Sequence, residues 1–127
     1  MSKQIILTHN APTPGGTYSQ GIRVGDQIFV AGSGPFDPVT HENVPGGIKE
    51  QTRRTLLNII AIVEAGGGKA TDIVKVTVFL KDMKQFKEMD SAYAEFFTEN
   101  HPVRTTVEAG LFGEGRLIVI DAIAHLG

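Results

Sequence analysis

The run Leu117-Ile118-Val119-Ile120-Asp121-Ala122-Ile123-Ala124 is apolar at both parities of a strand, with Asp121 its one charged member. Side chains alternate between the two faces of a sheet, so a strand with one wet face reads as apolar and polar in turn. This run does not, and it predicts a strand covered on both faces. Ile73–Leu80 is the clearest strand elsewhere, with Val74, Val76, Val78 and Leu80 alternating with Ile73, Lys75, Thr77 and Phe79.

Working outward from these runs, Leu56, Ile59, Ile60 and Val63 fall at i, i+3, i+4 and i+7. They predict a helix over Ile48–Ala65, stopped by Gly66-Gly67-Gly68. Asp82 is the expected N-cap of a second helix with the stripe Phe86, Met89, Tyr93, Phe96 and Phe97, ended by Asn100-His101-Pro102. Toward the N-terminus, Ile5-Ile6-Leu7 and residues 18–24 and 27–31 read as strands, the last two forming a hairpin about Gly25-Asp26. Gly32-Ser33-Gly34-Pro35 ends the third strand, and residues 10–16 and 36–47 read as loops.

The order is β-β-β-α-β-α-β-β, an α+β mixed sheet with two helices on one face. Two helices cover one side only. The other side carries Thr77, Phe79 and half of the last strand, so the expected cover is the sheet of another subunit.

At 127 residues the chain is one domain over 1–127. A net charge of −2, with no basic cluster beyond Arg53-Arg54, gives no field for nucleic acid. No stretch approaches the ~20 apolar residues of a membrane span, and Met1-Ser2-Lys3-Gln4 opens no signal peptide. With zero cysteines there is no thiolate chemistry and no disulfide. A soluble, cytoplasmic protein is the expectation.

Between the second helix and the last strand lies Pro102-Val103-Arg104-Thr105-Thr106-Val107-Glu108. Alternation puts Arg104, Thr106 and Glu108 on one face. A guanidinium there can grip a carboxylate through two parallel N–H···O bonds. The plainer reading of Arg104 is a surface or ion-paired arginine. Glu108 and Asp121 are the nearest acids, as proton-transfer groups or as ion-pair partners of the arginine.

Other chemistries find no pattern. His9, His41, His101 and His125 are scattered, without metal-ligand spacing. Gly66-Gly67-Gly68-Lys69 follows a helix instead of opening one, and Gly32-Ser33-Gly34 lacks the third glycine of a dinucleotide loop. No serine sits in a Gly-x-Ser-x-Gly elbow. Gly32 can still let backbone approach a ligand closely, and Tyr18 is a core, interface or cleft aromatic.

Several stretches together resemble the RidA (YjgF, reactive enamine/imine deaminase) family. They are Asn10-Ala11-Pro12, Tyr18-Ser19-Gln20-Gly21, Phe29-Val30-Ala31-Gly32 and Gln51-Thr52-Arg53. Further along come Ile62-Val63-Glu64-Ala65-Gly66-Gly67, Asp72-Ile73-Val74-Lys75, Phe96-Phe97, Pro102-Val103-Arg104 and Asp121-Ala122-Ile123-Ala124. The resemblance implies a chorismate-mutase-like fold and a homotrimer whose sheets face a central barrel. It implies hydrolysis of 2-imino acids to 2-keto acids and ammonia, with no cofactor and no metal. Arg104 would hold the substrate carboxylate in a cleft between subunits, with Gly32 and Tyr18 shaping it and Thr106, Glu108 and Asp121 lining it or moving protons. The alternatives are a deaminase dedicated to an unsaturated amino acid such as 2-aminomuconate, and a non-catalytic carboxylate-binding regulator.

Two positions depart from the family pattern. Val119 stands where the family has a water-orienting glutamate, and Ala31 stands where it has a hydroxyl-bearing residue. Both changes make the expected cleft more apolar.

Overall fold

The protein, described over residues 2–127 by a computed structural model, forms β1 (Gln4–Ile6), β2 (Gly21–Val24), β3 (Gln27–Ser33) and α1 (Ile48–Ala65). β4 (Ile73–Leu80), α2 (Phe86–Tyr93), β5 (Val103–Glu108) and β6 (Ile118–His125) follow. The strands make one mixed sheet in the order β1-β2-β3-β6-β4-β5. Only β4 and β5, joined through α2, are parallel. Every other pair is antiparallel.

The fold class and element order are as the sequence predicts. β6 lies between β3 and β4, away from both sheet edges, as its two-sided apolar run requires. Ile118, Ile120, Ala122 and Ala124 are buried on the helix side with Val76, Val78 and Leu80. Ile28 and Val30 extend that layer, and Leu56, Ile59, Ile62 and Val63 of α1 close over it. Ile60, expected in the stripe, is only partly buried, and Ile62 takes its place.

The opposite face has no cover. Ile5, Ile22, Phe29 and Ile123 are successive cross-strand partners along it, and Val119 with Phe79 and Asp121 with Thr77 continue the row. Phe29 is 41% exposed there and Ile5 54%. These are large apolar side chains left in water.

Four local expectations are corrected. The strand expected over 18–24 begins at Gly21, because Tyr18 folds back in a tight turn with its N–H on the Gly16 carbonyl at 3.0 Å. β3 runs on to Ser33 past its expected end at 31, carried by a bulge against β6. The second helix ends at Tyr93; Phe96 and Phe97 follow in a tighter turn in which the Phe96 N–H reaches the Tyr93 carbonyl. Val74 is exposed and Ile73 buried, since a register shift between Ile73 and Lys75 reverses the alternation at the start of β4.

α1 ends as its glycines predict. Gly67 takes φ +98°, and the Gly68 and Gly67 N–H groups bond back to the carbonyls of Val63 and Glu64 at 3.0 Å. Asp82 caps as expected, accepting the Lys84 N–H at 2.9 Å, although what it opens is a short 3-10 turn that leads into α2. Among the described residues, no helix is long and apolar enough to cross a membrane.

Candidate functional site

The β3–β6 bulge is where the molecule opens. Val30 pairs with Ala122 and Ser33 with Ile120, so Ala31 and Gly32 together oppose the single residue Asp121. A bulge leaves ladder groups unpaired and turns the strand, which is why bulges recur beside binding sites. A cavity of about 440 Å³ lies here. Its walls are the 12–18 loop with Gly15, Gly16 and Tyr18, the bulged segment 31–34, Phe36 and His41, and Phe112 and Arg116 from the β5–β6 connection.

Three amide side chains hold these walls. Buried Gln20 donates to the carbonyls of Thr8, Ala11 and Pro12, and its own oxygen accepts the Thr8 N–H. Asn58 of α1 donates to the carbonyls of Gly34 and Phe36. Gln51, about two turns earlier on α1, donates to the Gly115 carbonyl and accepts the Leu117 N–H, each at 2.8 Å. Loops that would otherwise be loose are thereby fixed to a helix.

Of the residues predicted from sequence, Tyr18, Ala31 and Gly32 line this cavity. Val119 is the neighbour of Gly32, where a Cβ would come within 3.2 Å of a Val119 methyl. Asp121 lies opposite the bulge on the uncovered face.

Arg104, Thr106 and Glu108 are elsewhere in the same protomer. They lie on the helix side of edge strand β5, in register with Val76, Val78 and Leu80. Three inter-strand spacings separate β5 from β3, about 14 Å. Arg104 Nη1 meets Asp90 Oδ1 at 2.7 Å, and the guanidinium lies 4.6 Å from the Tyr93 ring centre and 5.5 Å from that of Phe86. Burial pushes the Tyr93 phenol up to about 12. Glu108 accepts the Met83 N–H at 2.8 Å, a capping bond at the start of the 3-10 turn before α2.

Sequence reasoning missed Arg116. Its guanidinium stacks 4.3 Å over Phe36, and its Nε is buried with no hydrogen-bond partner among the described residues. Loss of hydration lowers its pKa, the reverse of what an ion pair does, while the nearby Tyr18 acts the other way. The signal available was Gly113-Glu114-Gly115 immediately before it, with both glycines at positive φ. A tight turn of that kind aims the next side chain. Among the described residues no group of three or more His, Cys, Asp or Glu could hold a metal ion.

Comparison with known proteins returns one family over nearly the whole chain. The family model described as Endoribonuclease L-PSP matches residues 8–126. A RutC family protein of Pyrococcus horikoshii is 50% identical over 123 residues, covering 97% of this chain and 98% of that one. The 2-iminobutanoate/2-iminopropanoate deaminase of Escherichia coli K12 is 44% identical over 127 residues, with 98% of each covered. Among solved structures, Escherichia coli TdcF with bound serine superposes with a TM-score of 0.92 at 35% identity, covering 98% of this chain and 99% of that one. RidA from an Antarctic Psychrobacter gives 0.92 at 35% identity, covering 97% and 99%.

Proposed function

Since the chain belongs to the RidA (YjgF) family, we propose that it hydrolyses 2-imino acids and their enamine tautomers to 2-keto acids and ammonia. The observation that carries this reading is the cavity at the β3 bulge, where Tyr18, Ala31 and Gly32 meet beside Val119 and Asp121. The deaminase relative at 44% identity supports the reaction class.

In this reading the active unit is a homotrimer. The uncovered sheet faces pack together, and the β5 edge of one subunit meets the cavity of the next. Two facts support the assembly: the apolar row Ile5, Ile22, Phe29 and Ile123 is exposed or half-buried, and Arg104 stands on a strand three spacings, about 14 Å, from β3 of its own protomer. Arg104 then holds the substrate carboxylate, with Thr106 lining the same edge.

The chemistry asks little of the protein. An imine carbon is already electrophilic, so holding the carboxylate and placing a water beside that carbon supplies most of the acceleration. Water adds to the C=N carbon and gives a carbinolamine. A proton moves from oxygen to nitrogen, ammonia leaves and the 2-keto acid remains. Asp121, opposite the bulge, is the first candidate acid for that proton transfer. Glu108 is the weaker candidate, because its carboxylate already caps the Met83 turn. No cofactor enters these steps.

Val119 and Ala31 make the cleft more apolar than the family pattern and favour a longer substrate side chain, as in the 2-aminomuconate reading. The net charge of −2 gives ribonuclease activity no comparable support.

A trapping assay tests the proposal. An amino-acid oxidase generates 2-imino acids of several sizes and semicarbazide captures them. The parent protein is expected to suppress adduct formation and Arg104→Ala to lose that effect while keeping a trimeric mass by light scattering. Suppression by neither protein would sink the deaminase reading; binding of 2-keto acids without turnover would leave a regulator.

A further inference from the structure

We propose that Arg116 is a second anion anchor, and that the ligand this cavity prefers carries two carboxylates, a dicarboxylic 2-imino acid or its 2-keto product. The inference rests on the imine-deaminase reading for the first anchor, Arg104 from a neighbouring subunit. The second anchor stands on the chain's own geometry.

Arg116 is half-buried at the wall of the 440 Å³ cavity. No carboxylate lies within ion-pair distance of it among the described residues, whereas Arg53 has Glu50 and Glu95 and Arg104 has Asp90. Its placement is built. Gln51 grips the residues on either side, Gly115 and Leu117. Phe36 supports the face of the guanidinium at 4.3 Å. Gly34 and Gly113 pack beside it, where a Cβ at either would lie 3.4 Å from an Arg116 nitrogen. A guanidinium held this firmly, with its Nε dehydrated and unpaired, gains most from a planar anion that accepts two of its N–H groups.

The loop wall at Gly15 and Gly16 is roomy: a Cβ on either would meet nothing within 4 Å. A cavity of this size exceeds what a three- or four-carbon acid fills. The α-carboxylate on Arg104 of one subunit and a distal carboxylate on Arg116 of the next would span it.

Calorimetric titration with 2-oxobutanoate and 2-oxoglutarate, on the parent, Arg116→Met, Arg116→Lys and Arg104→Ala, tests the inference. The parent is expected to prefer the dicarboxylate. Arg116→Met should weaken 2-oxoglutarate about tenfold, the low end for a charge-assisted hydrogen bond, and leave 2-oxobutanoate within about twofold. Arg116→Lys should fall between. Equal loss for both ligands, no loss for either, or a change of light-scattering mass without a change in selectivity would overturn it; the last would mean that a neighbouring subunit already supplies the anion. Arg104→Ala separates the two ideas. If it binds both ligands like the parent, the deaminase cleft is misplaced, while a selectivity removed by Arg116→Met would still stand.

Discussion

Arg104 and Asp90 close the gap between edge strand β5 and helix α2 with a 2.7 Å ion pair, flanked by the rings of Tyr93 and Phe86. The side chain of Arg104 is 21% exposed and that of Asp90 48%. Solvent on the acid's side limits such a pair to about 1 kcal/mol. The contact orients the guanidinium, and in the proposed reading a ligand carboxylate competes with Asp90 for it.

Asp90→Asn therefore should bind 2-keto acids two- to fivefold more tightly, about 1 kcal/mol or less, because the ligand no longer competes with a charged side chain. Calorimetry on the assembled protein reads this directly. Weaker binding would mean that Asp90 holds Arg104 in its binding rotamer instead of competing for it.

Val119 borders Gly32 at van der Waals range and shares a strand face with Asp121. Val119→Glu puts a carboxylate at that border and should raise turnover of the small imine 2-iminopropanoate by about tenfold or more, the scale of a positioned acid–base group. Val119→Gln, with the same shape and no titrating proton, should give no comparable gain. Trapping kinetics on both variants, with mass checked by light scattering, decide it. Equal rates for parent and Val119→Glu would assign the water to another group.

The Tyr93 hydroxyl is buried without a partner among the described residues, and burial raises its pKa to about 12. Its folded pKa lies above the unfolded value of about 10. The folded state therefore holds the phenolic proton more tightly, and this contribution is full below about pH 10 and lost as pH rises toward 12. Between pH 8 and 11 the parent should lose about 1 kcal/mol that Tyr93→Phe does not lose. At pH 8 the substitution should cost less than about 1 kcal/mol, because it breaks no hydrogen bond. Urea melts of both proteins at the two pH values test the sign and the size.

The core and the order of elements were legible because burial writes itself as a period. β6 alternates Ile118, Ile120, Ala122 and Ala124 against Val119, Asp121 and Ile123, and the stripe of α1 recurs at helical spacing. The errors fell where a period breaks. The extra residue before Lys75 exchanges Val74 for Ile73, and the tightened turn after Tyr93 keeps Phe97 in the core outside any helix. The bulge at Ala31 and Gly32 is an insertion of the same kind, legible in sequence only as a glycine near a strand end.

The site was half legible. Tyr18, Ala31 and Gly32 were picked out by glycine loops and family motifs, and they share one cavity. Arg116 was not, since one arginine after a Gly-Glu-Gly turn carries no periodic signal and its surroundings come from Gln51 and Phe36, 65 and 80 residues earlier in the chain.

By itself the sequence determined the α+β class, the order of strands and helices and the interior place of β6 in the sheet, because each follows from how apolar side chains repeat along the chain. Only the tertiary structure decided that Arg104 lies three strand spacings from the Gly32 cavity and is paired with Asp90, and that Arg116 stands at that cavity without an acid. Strand order and loop closure set those distances, and both arise from contacts between residues far apart in the chain, which no local pattern records.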